Sequence, residues 1–300
     1  MVAGITVATI IIGIHVVFLY VLPALFPLTY KQTIVFVSSG SEPSSQPIVV
    51  ADFYSSKRSI YAVKIPGTVQ VPVIGGYGNY PIASVHNLLK IEKKDATFIR
   101  GAISVALHKK VDHIVTLEQS EKIDSVQDLE QALFISPVFS LREFSQWRQQ
   151  MGSWAFVRTL EPQHFSLEEG ADLAAVTKLT RHQTTDTQYQ GRVAIVNGAA
   201  TNDLASFLGA VLEQSGYQVL RITDIPQPQA ATQIFYSTTN TENRQIIKDE
   251  AGLLTHVVPM SVTIEENKEV AERYRADIVL IVGTEMGELL KPVVSAKVTQ

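Results

Sequence analysis

The sequence contains no cysteine, which excludes disulfides, thiolate metal sites and cysteine nucleophiles. It also lacks a surplus of positive charge, because 25 Lys and Arg residues face 29 Asp and Glu residues, a formal net charge of −4. Proteins that bind nucleic acids by neutralising phosphates carry such a surplus. Neither DNA nor RNA is therefore expected as a partner.

A third absence concerns the N terminus, since residues 2–28 contain no Asp, Glu, Lys or Arg. A helix needs roughly 20 apolar residues to cross a bilayer, so residues 1–30 are predicted to form a single-pass membrane anchor. A cleaved signal peptide is the alternative. The apolar run, however, exceeds the roughly 7–15 residues of a signal core, and no basic residue precedes it. Lys31 follows the run and by charge alone would favour a cytoplasmic position for the rest of the chain.

Motifs of catalysis and phosphate binding are also missing. Residues 73–89 read VIGGYGNYPIASVHNLL, a glycine-rich turn between an apolar run and a predicted helix, which is a common phosphate-binding arrangement. The dinucleotide fingerprint would need a third glycine where Pro81 stands. No P-loop lysine, G-x-S-x-G, S-x-x-K or H-E-x-x-H is present. His108 and His113 are the closest histidine pair, and a structural or surface role is expected for them. The residues alone indicate no catalytic or metal site.

Hydrophobic periodicity predicts an α/β protein with two soluble domains. The predicted domains are a transmembrane anchor at 1–30, an α/β domain at 31–181, a polar linker at 182–190 and a small α/β domain at 191–300. In the first domain, strands are expected at 33–37, 48–53, 59–65, 69–74 and 111–117, and helices at 98–106, 126–134, 141–154 and 167–179. In the second, strands are expected at 193–196, 218–222, 233–236, 256–258 and 277–282. Its helices are expected to begin at Thr201 or Asn202 and to cover 242–251, with Gly252 as a stop, on one face of the sheet.

The C-terminal domain resembles the LytR C-terminal domain (LytR_C). The resemblance covers about a hundred residues and is carried by five segments in the right order. These segments are Ile195-Val196-Asn197-Gly198, Leu204-Ala205, Gly216-Tyr217-Gln218-Val219, Thr232 to Tyr236, and Ala276-Asp277-Ile278-Val279 to Gly283. Asp203 stands where the family often has a second glycine before the helix.

The N-terminal domain resembles, more faintly, the LytR-CpsA-Psr (LCP) family. Three segments carry the likeness: Ile65-Pro66, Tyr77-Gly78-Asn79-Tyr80 and Val111-Asp112-His113-Ile114. The resemblance implies an extracytoplasmic phosphotransferase that uses Mg²⁺ to move lipid-linked glycopolymers onto peptidoglycan. In such enzymes arginines hold the pyrophosphate, because the guanidinium group binds phosphate oxygens in a bidentate manner.

This chain departs from the LCP pattern where the chemistry would occur. Gly67 and Thr68 stand where arginine and aspartate are expected after Ile-Pro, and 45–47 read Ser-Gln-Pro instead of containing an Arg/Asp pair. A lysine of the glycine/tyrosine segment is absent, and Arg148-Gln149 only echoes a later Arg-Gln helix. Each lost donor in comparable sites removes roughly 2.7–4 kcal/mol of transition-state stabilisation. The N-terminal module is therefore expected to be a degenerate, non-catalytic relative without a cofactor.

The resemblance outweighs the charge of Lys31 and places both domains outside the cytoplasm, on a membrane-anchored cell-envelope protein. Its expected partners are a cell-wall glycopolymer, a lipid-linked precursor or another envelope protein. The candidate ligand-binding residues are Lys64, Tyr77, Asn79, Arg100 and Arg148. Two alternatives stay open: an envelope scaffold, and a divergent Mg²⁺-dependent phosphotransferase. The phosphotransferase requires replacement cations, drawn from Lys57, Arg58, Lys64, Arg100 and Arg148, to converge beside the Gly75–Tyr80 loop.

Overall fold

The computed structural model describes residues 31–38, 46–118, 122–135, 144–181, 191–199, 201, 203–237 and 244–297. The predicted anchor at 1–30 and the predicted linker at 182–190 lie outside the described residues. Within the described part of the chain, no helix is both long enough and apolar enough to cross a membrane.

The N-terminal domain is built on a mixed sheet of five strands, with a separate two-stranded hairpin. Its strands are β1 (Gln32–Ser38), β2 (Ile48–Tyr54), β3 (Ser59–Ile65), β4 (Gln70–Val73), β5 (Gly78–Pro81), β6 (His113–Leu117) and β7 (Phe165–Glu169). The large sheet has the order β6-β1-β2-β3-β7, and β4 pairs with β5. β1, β2 and β3 are antiparallel, whereas β6 runs parallel to β1 and β7 parallel to β3. β6 is thus an edge strand of the sheet.

Helices cover both faces of this sheet. They are α1 (Ile82–Ile91), α2 (Ala96–Ala106), α3 (Val126–Ile135), α4 (Phe144–Arg158) and α5 (Ala174–Arg181). Because successive strand residues point to opposite faces, Val35 packs in the core with α1, α2 and α5, while Ile34 and Phe36 pack in a second core with α3 and α4. Asp95 caps α2 by accepting a hydrogen bond from the Phe98 N–H at 2.7 Å.

The C-terminal domain contains a second mixed sheet with the order β11-β10-β12-β8-β9. Its strands are β8 (Arg192–Asn197), β9 (Gln218–Asp224), β10 (Gln233–Tyr236), β11 (Thr263–Glu266) and β12 (Ile278–Val282). Its helices are α6 (Leu204–Gln214), α7 (Arg244–Leu254), α8 (Lys268–Tyr274) and α9 (Thr284–Lys297). α6, α7 and α9 share one core with the sheet, and Val270 and Tyr274 of α8 pack with Val196 and Val279 on the other face. The prediction that helices cover only one face of this sheet is therefore wrong.

Several predicted boundaries are also wrong, each for a local reason. The expected helix at 167–179 is the strand β7 followed by α5, because β7 gains its hydrogen bonds from distant β3. The expected strand at 256–258 is a turn, whose Val257 and Val258 are buried without sheet pairing. Gly252 lies within α7, and Asp203, with a left-handed φ of 62°, occupies the N-cap position of α6.

The two domains pack directly on each other. One continuous hydrophobic core contains Val105 of α2 and Leu208 of α6. At Gly101 the approach is so close that a Cβ atom would lie 2.4 Å from the Cα of Pro259. The Lys110 N–H donates to the Ser215 hydroxyl at 2.7 Å. The C-terminal domain is therefore part of the support for α2 and for the strand that follows it.

Candidate functional site

The glycine-rich loop 75–80 lies at the interface between the domains. It covers most of the turn between β4 and β5 and the first three residues of β5, and Gly75 and Gly78 adopt left-handed φ values of 80° and 84°, a conformation that favours glycine. The Gly75 N–H donates to the carbonyl of Leu289 in α9 at 3.3 Å. A Cβ atom on Gly75 would lie 3.3 Å from the Tyr77 ring and 3.6 Å from the Phe98 ring. At Gly75, this loop therefore contacts the C-terminal domain.

Gly67 stands where the LCP resemblance expects an arginine, and its surroundings leave no space for a side chain. A Cβ atom at this position would lie 1.9 Å from the carbonyl oxygen of Gln46 and 2.8 Å from the Cβ of Ala83. The Gly67 carbonyl accepts a hydrogen bond from the Ala83 N–H at 3.3 Å, at the start of α1. The sequence thus lacks the expected arginine, and the backbone around position 67 also leaves no space for one.

The structure separates most of the predicted ligand-binding residues. Lys64 pairs with Asp124 at 2.6 Å, and half-buried Tyr77 packs against the interdomain core. Asn79 is exposed in β5. Arg148 lies in α4, but its side chain is outside the described part of the structure.

Arg100, one of the predicted residues, lines a cavity. We call this space the β6-edge cavity, because it opens beside the edge strand of the N-terminal sheet, between α1, α2 and α3. It has a volume of about 280 Å³. Its lining residues are Ile34, His86, Lys90, Lys94, Ala96, Ile99, Arg100, Asp112, His113, Ile114, Val115 and Leu133. Lys90, Lys94 and Arg100 contribute positive charge to this lining, and the sheet, α2 and α3 contribute apolar side chains.

The two imidazoles in the lining are held in the neutral form. Burial, followed by repulsion from Lys90, lowers the pKa of His86 to about 4. Burial also lowers the pKa of His113 to about 4, although the Asp112 carboxylate favours its charged form. Within the described residues, Nδ1 of His86 and Nε2 of His113 are buried and have no hydrogen-bond partner. Both nitrogens are sealed from solvent, although other atoms of these two residues line the cavity.

Asp112 contributes a carboxylate to the lining, and several groups already bind it. It accepts hydrogen bonds from the Thr33 N–H at 2.8 Å and from Nδ1 of His256 at 2.9 Å, and it pairs with Lys110 at 3.0 Å. Burial opposes its ionisation, but Lys110 and His256 hold its pKa well below the usual range. Because His256 belongs to the C-terminal domain, this carboxylate also ties the two domains together.

A second buried carboxylate, Asp52, lies in β2 opposite Thr33 of β1. Asp52 pairs with Lys109 at 3.0 Å and with Lys31 at 3.2 Å, and it accepts a hydrogen bond from the Thr33 hydroxyl at 2.8 Å. Burial opposes ionisation of Asp52, but Lys109 and Lys31 lower its pKa to about 2. Burial in turn lowers the pKa of Lys31 to about 7. Asp52, Lys31 and Lys109 thus form a buried network of ion pairs that joins β1, β2 and the segment after α2.

Sequence reasoning missed most of the cavity. His86 and Lys90 are four residues apart on α1 and therefore share a helix face. The sequence spacing alone could have predicted that these two side chains are neighbours. His113 is predicted to have a structural or surface role because it lies in a strand, and the sequence does not show that this strand, β6, is an edge strand beside a cavity. Within the described residues, no group of three or more His, Cys, Asp or Glu side chains is arranged to hold a metal ion.

Comparisons with known proteins assign the C-terminal domain to a family. Residues 190–285 match the family model LytR_C, described as LytR cell envelope-related transcriptional attenuator. No curated protein matches the chain significantly. One similar solved structure is the LytR-CPS2A-psr family protein YwtF (TagT) with bound octaprenyl pyrophosphate lipid. Its sequence identity to this chain is 12% and the TM-score is 0.26. The match covers 76% of this chain and 91% of that chain.

Two further solved structures match this chain with similarly low sequence identities and TM-scores. B. subtilis TagT has 11% identity and a TM-score of 0.25, covering 76% of this chain and 91% of that chain. A transcriptional regulator from Enterococcus faecalis has 9% identity and a TM-score of 0.25, covering 85% of this chain and 94% of that chain. TM-scores of this size do not establish a shared fold.

Proposed function

We propose, from the premise that residues 190–285 are a LytR_C domain, that this chain is a cell-envelope protein that binds a lipid-linked precursor and does not transfer it. A cell-wall glycopolymer and a second envelope protein are the alternative partners. Both soluble domains are proposed to lie outside the cytoplasm, held at the membrane by residues 1–30. The LytR_C match and the LCP-like segments of the N-terminal domain support this proposal.

The single observation that carries the non-catalytic part is the packing around Gly67. A transferase of LCP type needs an arginine at this position to hold the pyrophosphate. Here a Cβ atom would lie 1.9 Å from the Gln46 carbonyl oxygen, far inside van der Waals contact. The neighbouring Thr68 brings no carboxylate for Mg²⁺. The residues at this turn therefore do not fit the cation-rich site of a phosphotransferase.

The distribution of the other cations supports the same conclusion. Arg58 donates to the Thr159 carbonyl at 3.0 Å at one end of β3, while Lys64, at the other end, pairs with Asp124. Arg58 directly precedes β3, and the five strand steps from Ser59 to Lys64 span about 17 Å. Arg100 lies beside β6, three strands away from β3 in the sheet order. These three cations do not converge on one cleft, which favours binding over transfer.

The first test measures binding and turnover together on the full chain in detergent micelles. A polyprenyl pyrophosphate is titrated with and without Mg²⁺, and the same samples are assayed for phosphate release. We expect saturable binding that changes little with Mg²⁺, with no turnover above the protein-free control. A Gly67→Arg variant should gain no activity and should lose stability, because its side chain displaces the Gln46 backbone.

Other outcomes would replace the proposal. Metal-dependent binding with turnover would make the chain a divergent phosphotransferase whose cations come from elsewhere. The absence of binding, for both the lipid pyrophosphate and purified wall glycopolymer, would leave protein partners or scaffolding as the function.

A further inference from the structure

We infer that the two edge strands of the C-terminal sheet pair with each other between copies of this chain, so that β9 of one copy binds β11 of the next. β9 and β11 lie at opposite edges of this sheet. The occupant of each edge is thus a second copy of the chain. This inference does not depend on the proposed binding of a lipid-linked precursor, because it concerns a different surface.

Both edge strands expose large apolar side chains. Leu220 and Ile222 in β9 are each 44% exposed, and Ile264 in β11 is 38% exposed. Within the described residues, no further strand pairs with the outer edge of either β9 or β11. An edge strand presents unpaired backbone N–H and C=O groups, and with apolar side chains beside them it is a template for another strand.

The directions of the strands allow two such sheets to join. β9 is parallel to β8, and β8 is parallel to β12. β10 runs antiparallel to β12, and β11 is parallel to β10. β9 and β11 therefore run in opposite directions. Two sheets placed side by side in the same orientation then meet through an antiparallel pair of strands.

The registers of the sheet place matching side chains at the two ends of three neighbouring cross-strand rows. Each row is traced through Cα partners from β11 across β10, β12 and β8 to β9. The residues at the ends of these rows are Glu265 and Arg221, Ile264 and Ile222, and Thr263 and Thr223. A second sheet joined at this edge would continue all three rows, on the correct face of the sheet in each case.

The three pairs are of kinds that stabilise adjacent strands. Opposite charges and paired threonines directly across antiparallel strands are favourable, β-branched side chains pack well on the pleated surface, and like charges are unfavourable. Arg221 and Glu265 are both exposed, and neither forms an ion pair within the described residues. A two-fold β9–β9 pair that matched Leu220 with Ile222 would instead place Arg221 opposite Arg221. Charge complementarity thus favours β9 with β11.

The inferred interface is short and not self-limiting. Leu220 has no direct partner in β8, because the register shifts between Val219 and Arg221, so the three rows begin after this irregularity. Contact between strands of this length buries less area than stable complexes do, and association should therefore depend strongly on concentration. Because the two edges differ, each copy binds two others, which generates a ring or a filament.

The test is disulfide trapping between full chains in detergent micelles. The chain contains no cysteine, so each introduced cysteine is the only thiol of its chain. Directly opposed Cα atoms in antiparallel strands lie about 4.5–5.5 Å apart, within the range that a disulfide requires. We expect a cross-linked dimer when Ile222→Cys is mixed with Ile264→Cys and oxidised. Thr223→Cys mixed with Thr263→Cys should give the same result from the neighbouring row.

The mismatched mixtures are the control. Ile222→Cys with Thr263→Cys, and Thr223→Cys with Ile264→Cys, place the two Cβ atoms on opposite faces of the joined sheet. Their dimer yield should be at least roughly tenfold lower, since a disulfide cannot bridge such positions without backbone movement. Equal yields in matched and mismatched mixtures would indicate random collision and overturn the inference. A dimer from Ile222→Cys alone would also overturn it, because β9 would then pair with β9.

The length of the cross-linked product tests the head-to-tail arrangement. A chain that carries both Ile222→Cys and Ile264→Cys should form a ladder of oligomers beyond the dimer, because each copy has one cysteine at each edge. The absence of cross-linked product in this chain and in both matched mixtures would overturn the inference and leave the two edges for a strand of another protein.

Charge reversal tests the register independently. Arg221→Glu in the Ile222→Cys chain should slow cross-linking to the Ile264→Cys chain about threefold or more, because two glutamates would then face each other. Adding Glu265→Arg to the Ile264→Cys chain restores opposite charges and should return the rate to within about twofold of the original. A rate that is unchanged by Arg221→Glu, or that Glu265→Arg fails to restore, would contradict the inferred pairing.

Discussion

At the scale of single residues, the buried carboxylates Asp52 and Asp112 are structural groups rather than catalytic ones. Both have fully or nearly fully buried side chains, and both are ion-paired with lysines that are buried as well. Replacing such a pair by apolar residues is often neutral, but removing one partner leaves an uncompensated buried charge. Asp112 is the more consequential of the two, because His256 reaches it from the other domain.

Asp112→Ala is therefore expected to lower the free energy of unfolding by about 3–5 kcal/mol, the usual cost of leaving a buried cation unpaired. The matched control is Asp124→Ala. Asp124 pairs with Lys64, but 57% of its side chain is exposed, so solvent screening should limit its loss to about 1 kcal/mol or less. Urea unfolding of both variants measures the difference. Similar losses in the two variants would show that the buried network contributes no more than a surface pair.

Asp112 lies in a segment that the sequence analysis singled out, but its part in a buried network between the domains could not be predicted. Val111-Asp112-His113-Ile114 carries part of the LCP resemblance, and the strand predicted at 111–117 is observed from His113 to Leu117. The partners of Asp112 come from position 33 and position 256, on different elements of two domains. No local pattern encodes such long-range contacts, so the network was visible only in the folded chain.

At the scale of elements, α2 and α7 each contain an internal glycine for different reasons. Gly101 of α2 allows Pro259 to approach the helix backbone, whereas a Cβ atom at Gly252 of α7 would meet nothing within 4 Å. Glycine within a helix otherwise lowers stability by about 0.5–1 kcal/mol relative to alanine. The two positions therefore form a natural pair for substitution.

Gly101→Ala should reduce the free energy of unfolding by about 1–3 kcal/mol, because the added methyl group overpacks the contact with Pro259. Gly252→Ala should increase the free energy of unfolding by about 0.5–1 kcal/mol, since it improves helix propensity at an open position. Thermal and urea denaturation of both variants show directly whether each substitution raises or lowers the free energy of unfolding. An increase in stability for Gly101→Ala would mean that α2 and the Pro259 turn separate readily.

Elements with strong local patterns were predicted well, and elements defined by tertiary contacts were not. The alternating or continuous apolar runs of β1, β2, β3, β8 and β12 gave strands close to those observed. β11, with the sequence Thr-Ile-Glu-Glu, is exposed throughout and carries no hydrophobic signal. Conversely, the apolar Val257 and Val258 predicted a strand, but they are buried in the continuous core without sheet pairing.

The candidate site could be predicted only in part for the same reason. Arg100 was selected from the sequence as a possible cation for phosphate, and the structure places it in the β6-edge cavity. Lys90, Lys94 and the two histidines join it because α1, α2 and the sheet edge meet. Lys64, Tyr77 and Asn79 were grouped with Arg100 on the strength of resemblance, and the fold distributes them to other surfaces.

At the scale of the whole molecule, the two domains are expected to unfold together. The continuous core contains residues of both sheets, and the contacts at Gly75, Gly101, Lys110 and Asp112 cross between the domains. Domains joined by small polar interfaces usually move and melt separately. A shared apolar core instead predicts a single cooperative transition.

Ile195→Ala in β8 tests this coupling, because both tryptophans, Trp147 and Trp154, lie in the N-terminal domain. Removing this fully buried side chain should cost about 2–5 kcal/mol, and the tryptophan fluorescence transition should shift by that amount. Ile264→Ala, in exposed β11, is the control and should cost about 1 kcal/mol or less. If the midpoint of the fluorescence transition is the same with and without Ile195→Ala, the domains are thermodynamically independent.

The fixed position of Lys31 has a mechanical consequence for a membrane-bound form. Its ammonium group is held by Asp52 and lies 5.4 Å from the Tyr54 ring centroid, and β1 begins at the next residue. An anchor that ended at residue 30 would join the folded body without a flexible tether. The body would then be confined to a layer next to the headgroups, and its search for partners would be two-dimensional diffusion along the bilayer, limited to molecules presented at that height.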